Sequence, residues 1–185
     1  MKSKSDSDKS WIVIIIFISV LISMIFSFIS EVTLAGAGYI VSFVILVLFI
    51  VLGIVFDIIG VAATSAVEAP FHSMASHGER GAAEAIRLIR NADKVSSICN
   101  DVIGDICGVM SGATSAVIVA KIALGFGIRT LPLQILISGL VAGFIVGGKA
   151  VGKTAALKNN VRILLAVGKV INTAGRIFGK KRGKG

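Results

Sequence analysis

Between Asp93 and Ser115 the chain reads D-K-V-S-S-I-C-N-D-V-I-G-D-I-C-G-V-M-S-G-A-T-S, an apolar run interrupted by Asn100, Asp101 and Asp105. Two carboxylates four residues apart, with a carboxamide beside them, are oxygen donors of the kind that meet a hard cation or relay a proton. Asp57, in an earlier apolar run, is the candidate third carboxylate. Residues four apart share a helical face, and Gly104, Gly108 and Gly112 repeat at that interval. The spacing therefore predicts a single stripe of carboxylates and small residues. Inside a bilayer such a stripe must face protein, water or a cation, because an ionised group at mid-depth costs roughly 3 kcal/mol or more. The same residues also fit a structural role, with the carboxylates met by Lys or Ser partners or set near the membrane surface, where that cost falls. Either way this helix is expected at the centre of a membrane bundle.

The elements that must position it are written in the composition. Of 185 residues 55% are hydrophobic and 16% charged, and the mean hydropathy is +0.94. A soluble domain carries about 25% charged residues, so a membrane class with room for about four spans is expected. Trp11 to Ile29 is uncharged and long enough to cross a core of about 30 Å. The alternative, a cleaved signal peptide, has a shorter apolar region and a small-residue cleavage site. Neither matches Ile29-Ser30-Glu31. Glu31 to Gly38 is expected as a connection, and a second span runs from Tyr39 to about Ala66, its excess length absorbed by tilt or by a break at Asp57 to Gly60. Pro70 ends that region.

Gly81 to Arg90 predicts a short amphipathic helix, with Ile86 and Ile89 opposite Glu84, Arg87 and Arg90. Asp93 is the expected N-cap of the polar helix, which runs to about Leu124. A turn through Gly125 to Pro132 precedes a fourth span from Leu133 to Gly147, where Gly139, Gly143 and Gly147 suit close packing against the glycines of the third. From Lys149 onward ten basic residues and no acid follow. Arg162, Lys169 and Arg176 share one face there, and Val161, Leu164, Leu165, Ile171 and Phe178 form much of another, as an interfacial helix would. The fold class is thus all-α, a polytopic membrane bundle of about four spans with a cytoplasmic juxtamembrane helix and a basic amphipathic C-terminal helix. Its expected divisions are 1–38, 39–148 and 149–185.

All ten acids lie at or before Asp105, while twelve of the nineteen Lys and Arg follow it. With the amino terminus inside, seventeen basic residues fall on inner segments and two, Lys121 and Arg129, on outer ones. The positive-inside rule then places both termini in the cytoplasm of a multi-pass protein of the cell membrane. The expected partners are the bilayer and anionic lipid head groups at the basic end, with no nucleic acid.

Other motifs are less specific. Gly147 to Thr154 satisfies G-x-x-x-x-G-K-[ST], but a phosphate-binding loop follows a strand and needs a later Asp to help hold Mg²⁺. No acid occurs after Asp105, so no cofactor is expected. His72 and His77 read as exposed loop residues without further ligands. Ser73 and Ser76 have no organised base beside them, so no enzymatic activity is expected. Cys99 and Cys107, eight apart on one helix, lie roughly 12 Å apart along its axis, too far for a disulfide.

His77-Gly78, Ala82-Ala83, Ala85 to Ile89 and Asn91 to Ser97 together resemble the pattern G..gA..aL.L..nPdr.Lst, typical of the transmembrane domain of the CorB/CorC and cyclin M (CNNM) magnesium transporters. Gly148 to Ala156 resembles that domain's G-E-x-x-P-K-t-x-A motif, with Lys149 where the family has glutamate and Gly152 where it has proline. The matches span roughly residues 56 to 160. Ala62 to Ala66 also lacks the glutamate of the family's A-x-E-x-A context, and no regulatory CBS pair follows in this sequence. The resemblance implies a homodimeric bundle with a juxtamembrane helical belt and a cation site between polar helices. It implies transport or homeostasis of a divalent cation, Mg²⁺ above all, with Asp101, Asp105, Asn100 and Asp57 as the expected ligands. An ammonium at position 149 would instead supply the positive charge itself and turn an ion site into a salt bridge. A non-transporting membrane scaffold or regulator with a lipid-binding or partner-binding basic tail is the alternative.

Overall fold

The computed structural model describes residues 4–179. Among them there is no strand, and the helices are α1 Lys4–Ala35, α2 Tyr39–Ser65, α3 Ala69–Ser76, α4 Ala82–Arg90, α5 Ala92–Ser96, α6 Asp105–Phe126 and α7 Thr130–Gly179. A π-helical stretch, Ser97–Gly104, joins α5 to α6. Four runs are long and apolar enough to cross a membrane: Trp11–Ala35, Tyr39–Ser65, Ala92–Phe126 and Thr130–Ile177. The chain is therefore an all-α bundle of the expected class.

It divides into two compact units, one of Met1–Phe56 with Asn100–Lys149 and one of Asp57–Cys99 with Ala150–Gly185. In the first, α6 is the common partner. Phe49 of α2 packs with Val102, Ile106, Cys107 and Met110, and Ile15, Ile22 and Phe26 of α1 close over them. Phe26 and Phe49 meet edge to face, with centroids 5.9 Å apart and rings at 89°, the arrangement that ring quadrupoles favour. Further along, Leu46, Ile118 and Val141 form a second cluster flanked by Ile137 and Ile145 of α7. At Gly53 of α2 an added Cβ would stand 3.1 Å from the Cys107 Cβ. Small residues let the backbones approach here.

Several boundaries differ from the sequence expectations. α1 continues through Glu31 to Ala35, leaving only residues 36–38 as a connection. α2 is unbroken at Asp57 to Gly60, and Asn91 rather than Asp93 occupies the cap position before α5. The turn before α7 is also shorter than expected. Gly127 ends α6 in the left-handed conformation (φ 65°), as a helix C-terminus favours, and Pro132 stands in the first turn of α7, where a missing N–H costs nothing. Finally, span and basic tail form one helical run whose backbone breaks only at Asn159 (φ −123°, ψ 23°).

The expected glycine seam between the third and fourth spans is not formed. Gly139, Gly143 and Gly147 are exposed, with nothing near a Cβ placed on any of them. α7 packs through the neighbouring stripe of Ile137, Val141 and Ile145 instead. Large apolar side chains bury more area than glycines, so this face contributes more packing.

The second unit is a small helical platform. Phe71 of α3 and Leu164 of α7 are fully buried among Ala62, Ala63, Ala85, Ile86 and Ala156. Pro70 both follows the end of α2 and opens α3, since proline suits a first helical turn. α4 buries Ala82, Ala85 and Ile86 and exposes Arg87 and Arg90, as its sequence predicts. Val161, Leu164 and Leu165 also face this core, but Ile171 is exposed and Asn172 takes the inner position. The side chain of Phe178 lies outside the described residues. The C-terminal half of α7 is thus seated on the platform helices within its own unit.

Candidate functional site

The polar helix is wound differently from a plain α-helix where it carries its polar residues. Asn100 and Asp101 lie in the π-helical stretch, and Asp105 is the first residue of α6. A π-turn bonds i to i+5, which widens the turn and shifts the facing of residues four apart. The expected stripe is only partly kept: Asp101, Asp105 and Gly112 are exposed, Gly108 is half-buried, and Gly104, the last residue of the π-helical stretch, is buried. π-stretches inside longer helices recur at functional sites, so this winding marks the segment independently of its acids. The repeat of polar residues gave no sign of it.

Lys149 reaches Asp105, its Nζ 3.6 Å from Oδ1. The lysine side chain is 26% exposed and the carboxylate 71%. The ammonium leaves α7 along a narrow seam lined by Gly53, Gly104, Gly108, Ser111 and Ile145, too tight for a water molecule. Small residues at 104 and 108 leave room for the lysine stem, whose methylenes lie on apolar walls while the charge emerges at the carboxylate. The sequence names both partners; only the packing of α7 on α6 brings them together.

The four expected metal ligands fall in the two compact units, Asn100, Asp101 and Asp105 in one and Asp57 in the other. Asp101 and Asp105 share the exposed side of one helix, Asn100 is half-buried beside them, and half-buried Asp57 belongs to the other compact unit. Among the described residues no group of three His, Cys, Asp or Glu side chains is arranged to hold a metal ion. His72 and His77 are exposed, as expected, but stand on and at the end of α3 rather than in a loop. His72 meets Glu68 at 3.0 Å, and His77 Nδ1 lies 2.8 Å from the Ser73 carbonyl oxygen. Gly147 to Thr154 is helical throughout, so its amides bond along the helix and cannot cradle a phosphate. Both cysteines are free and buried.

Three polar arrangements were not foreseen. Lys121 of α6 donates from Nζ to the carbonyl oxygens of Leu34 (2.8 Å) and Ala37 (2.7 Å), with Ser42 Oγ at 3.4 Å. It thereby caps the C-terminus of α1, where a cation also meets the negative end of the helix dipole. In the platform, Arg90 donates to both oxygens of Glu68, and with His72 it holds that carboxyl below its usual range. Glu84 is held low chiefly by the amide of Asn172, which donates to it at 2.7 Å, with Arg87 and Arg176 adding attraction.

Comparison with family models, with curated proteins and with solved structures returns no match. The functional reading therefore stands on the residues and their geometry.

Proposed function

We propose that this chain is a multi-pass membrane protein that handles divalent cations, Mg²⁺ foremost, through the carboxylates at the start of α6. The observation that carries this is the exposure of Asp101 and Asp105 on the membrane-length helix that the other helices of its unit pack around. A core of about 30 Å takes about 20 residues. Counted back from Leu124, that length reaches Asp105; counted forward from Thr130, it reaches Lys149. The acid pair then stands at the inner edge of the hydrocarbon layer, where hydrated cations arrive and ionisation is cheaper than at mid-depth. Carboxylate and amide oxygens suit a hard ion that keeps most of its water. The charge bias places both termini in the cytoplasm, and the resemblance to CorB/CorC and CNNM transmembrane domains supports a homodimer.

A second reading is favoured by Lys149, whose ammonium already meets Asp105. On that reading the chain is a non-transporting membrane scaffold or regulator, and its basic end binds anionic lipid or a partner. Mg²⁺ flux into proteoliposomes separates the two. Transport predicts flux that falls at least tenfold in Asp101→Asn. No flux from the native chain, together with Mg²⁺ binding gained in Lys149→Glu, would refute transport and leave the scaffold.

A further inference from the structure

The platform unit carries an open cleft of ≈ 360 Å³ between the start of α4 and the last turns of α7, lined by Glu79, Arg80, Lys169, Asn172, Thr173 and Arg176. Three cations and one carboxylate line it, and Glu84, bonded to Asn172 of the lining, also attracts Arg176. Glu79 is engaged by Lys169, whose Nζ lies 3.1 Å from its Oε1, and a lysine retains two further donors in that state. The Asn172 amide is spent on Glu84, and the Thr173 hydroxyl donates to the Lys169 carbonyl (2.8 Å). Among the described residues neither Arg80 nor Arg176 forms an ion pair or hydrogen bond. Two guanidiniums and a partly used ammonium at one concavity make the donor set that phosphate groups select.

We infer that this cleft is a binding site for a phosphate group, with the guanidiniums of Arg80 and Arg176 as its principal ligands and Lys169 as the supporting cation. The cleft does not depend on cation transport. It rests on the second reading only in taking the basic end as the part of the chain that meets anions, and it adds a defined place for one. The walls are built rather than incidental. Gly81 and Gly168 meet backbone to backbone just behind Arg80 and Lys169, too close for a Cβ on either, so the segments bearing these cations are fixed against each other. A lipid phosphate monoester and free phosphate share the relevant chemistry, since each presents several anionic oxygens to bidentate donors.

The test uses the full chain in neutral detergent micelles and calorimetric titration with dioctanoyl phosphatidic acid, inorganic phosphate and dioctanoyl phosphatidylcholine. Saturable binding of phosphatidic acid but not phosphatidylcholine is expected, weakened at least tenfold in Arg80→Gln/Arg176→Gln. Lys153→Gln/Lys158→Gln removes the same charge from exposed positions outside the cleft and should change affinity less than twofold. Binding of inorganic phosphate with the same variant dependence assigns a soluble source as well; its failure beside phosphatidic acid binding assigns a lipid. Either result supports the site. Equal loss in the two double variants overturns the site while leaving diffuse attraction to anionic lipid intact. Absence of saturable binding by both phosphate probes overturns it outright. An unchanged helical circular dichroism signal confirms that the variants are folded, since both arginines are exposed.

Discussion

Replacing Lys121 by methionine tests how the first unit is held together at its α1–α2 connection. Methionine preserves most of the side-chain length but removes the charge and all three donors. The native ammonium makes two short bonds to carbonyl oxygens, 2.8 Å to Leu34 and 2.7 Å to Ala37, and a hydrogen bond to a charged group contributes about 1.5–3 kcal/mol. Its position at the α1 C-terminus adds about 0.3–1 kcal/mol through the helix dipole. Lys121 is half-buried, so water reaching the freed carbonyls recovers part of this, and the net loss should be about 2–4 kcal/mol. Tyr39→Phe is the comparator. It removes one longer bond, 3.3 Å from the phenol to the Lys121 carbonyl, and should cost about 1 kcal/mol or less. Unfolding in mixed micelles on addition of a denaturing detergent, followed by circular dichroism, gives both values. If Lys121→Met unfolds within about 0.5 kcal/mol of the native chain, as an ordinary surface substitution would, the cap contributes nothing and the reasoning fails.

Two further outcomes concern the platform. Gly168→Ala would drive a Cβ into the Gly81 carbonyl, 3.0 Å from its carbon and closer to its oxygen. Gly81 itself sits at φ 86°, where other residues are strained. Overpacking of this kind costs about 1–3 kcal/mol, and faster hydrogen exchange across 81–90 than across 105–126 should show it; equal protection in both segments would contradict the contact. Glu84 should titrate below the ordinary glutamate range in carbon-13 NMR, and Asn172→Ala should raise that midpoint toward it. Because the folded-state pKa is depressed, the stability it contributes is fully present above the ordinary carboxylate value. It is lost as the pH falls through the depressed one. A midpoint unaffected by Asn172→Ala would assign the shift to another cause.

Much of the architecture was legible because lipid imposes a length rule. The apolar runs beginning at Trp11 and Tyr39 could only become long helices, and the amphipathic pattern of 81–90 specified both a helix and its inner face. The cysteines likewise read correctly as unable to pair with each other. Boundaries were less legible where a signal has two uses. Pro70 was read as a stop and is also a start, while Pro132 marked a turn that the chain completes before reaching it. Nothing in the letters marked Asn159 as the only non-helical backbone position inside α7.

The candidate site shows where periodicity runs out. Spacing told which residues share a face of α6, provided the winding stayed α-helical; the π-stretch at 97–104 interrupts that winding, and Gly104 at its end is buried while Asp101, Asp105 and Gly112 are exposed. Periodicity also could not tell which face of α7 meets protein, and packing chose Val141 over Gly143. From sequence alone came the class of fold, the count of membrane-length helices and the identity of the charged groups that must be accommodated. Tertiary structure alone decided that Lys149 meets Asp105, that Lys121 caps α1 and that Arg80 and Arg176 line one cleft. The physical reason is that apolar length and helical period are properties of a local segment, whereas a charge pair joins residues distant in the chain and exists only after packing has selected one face of each helix.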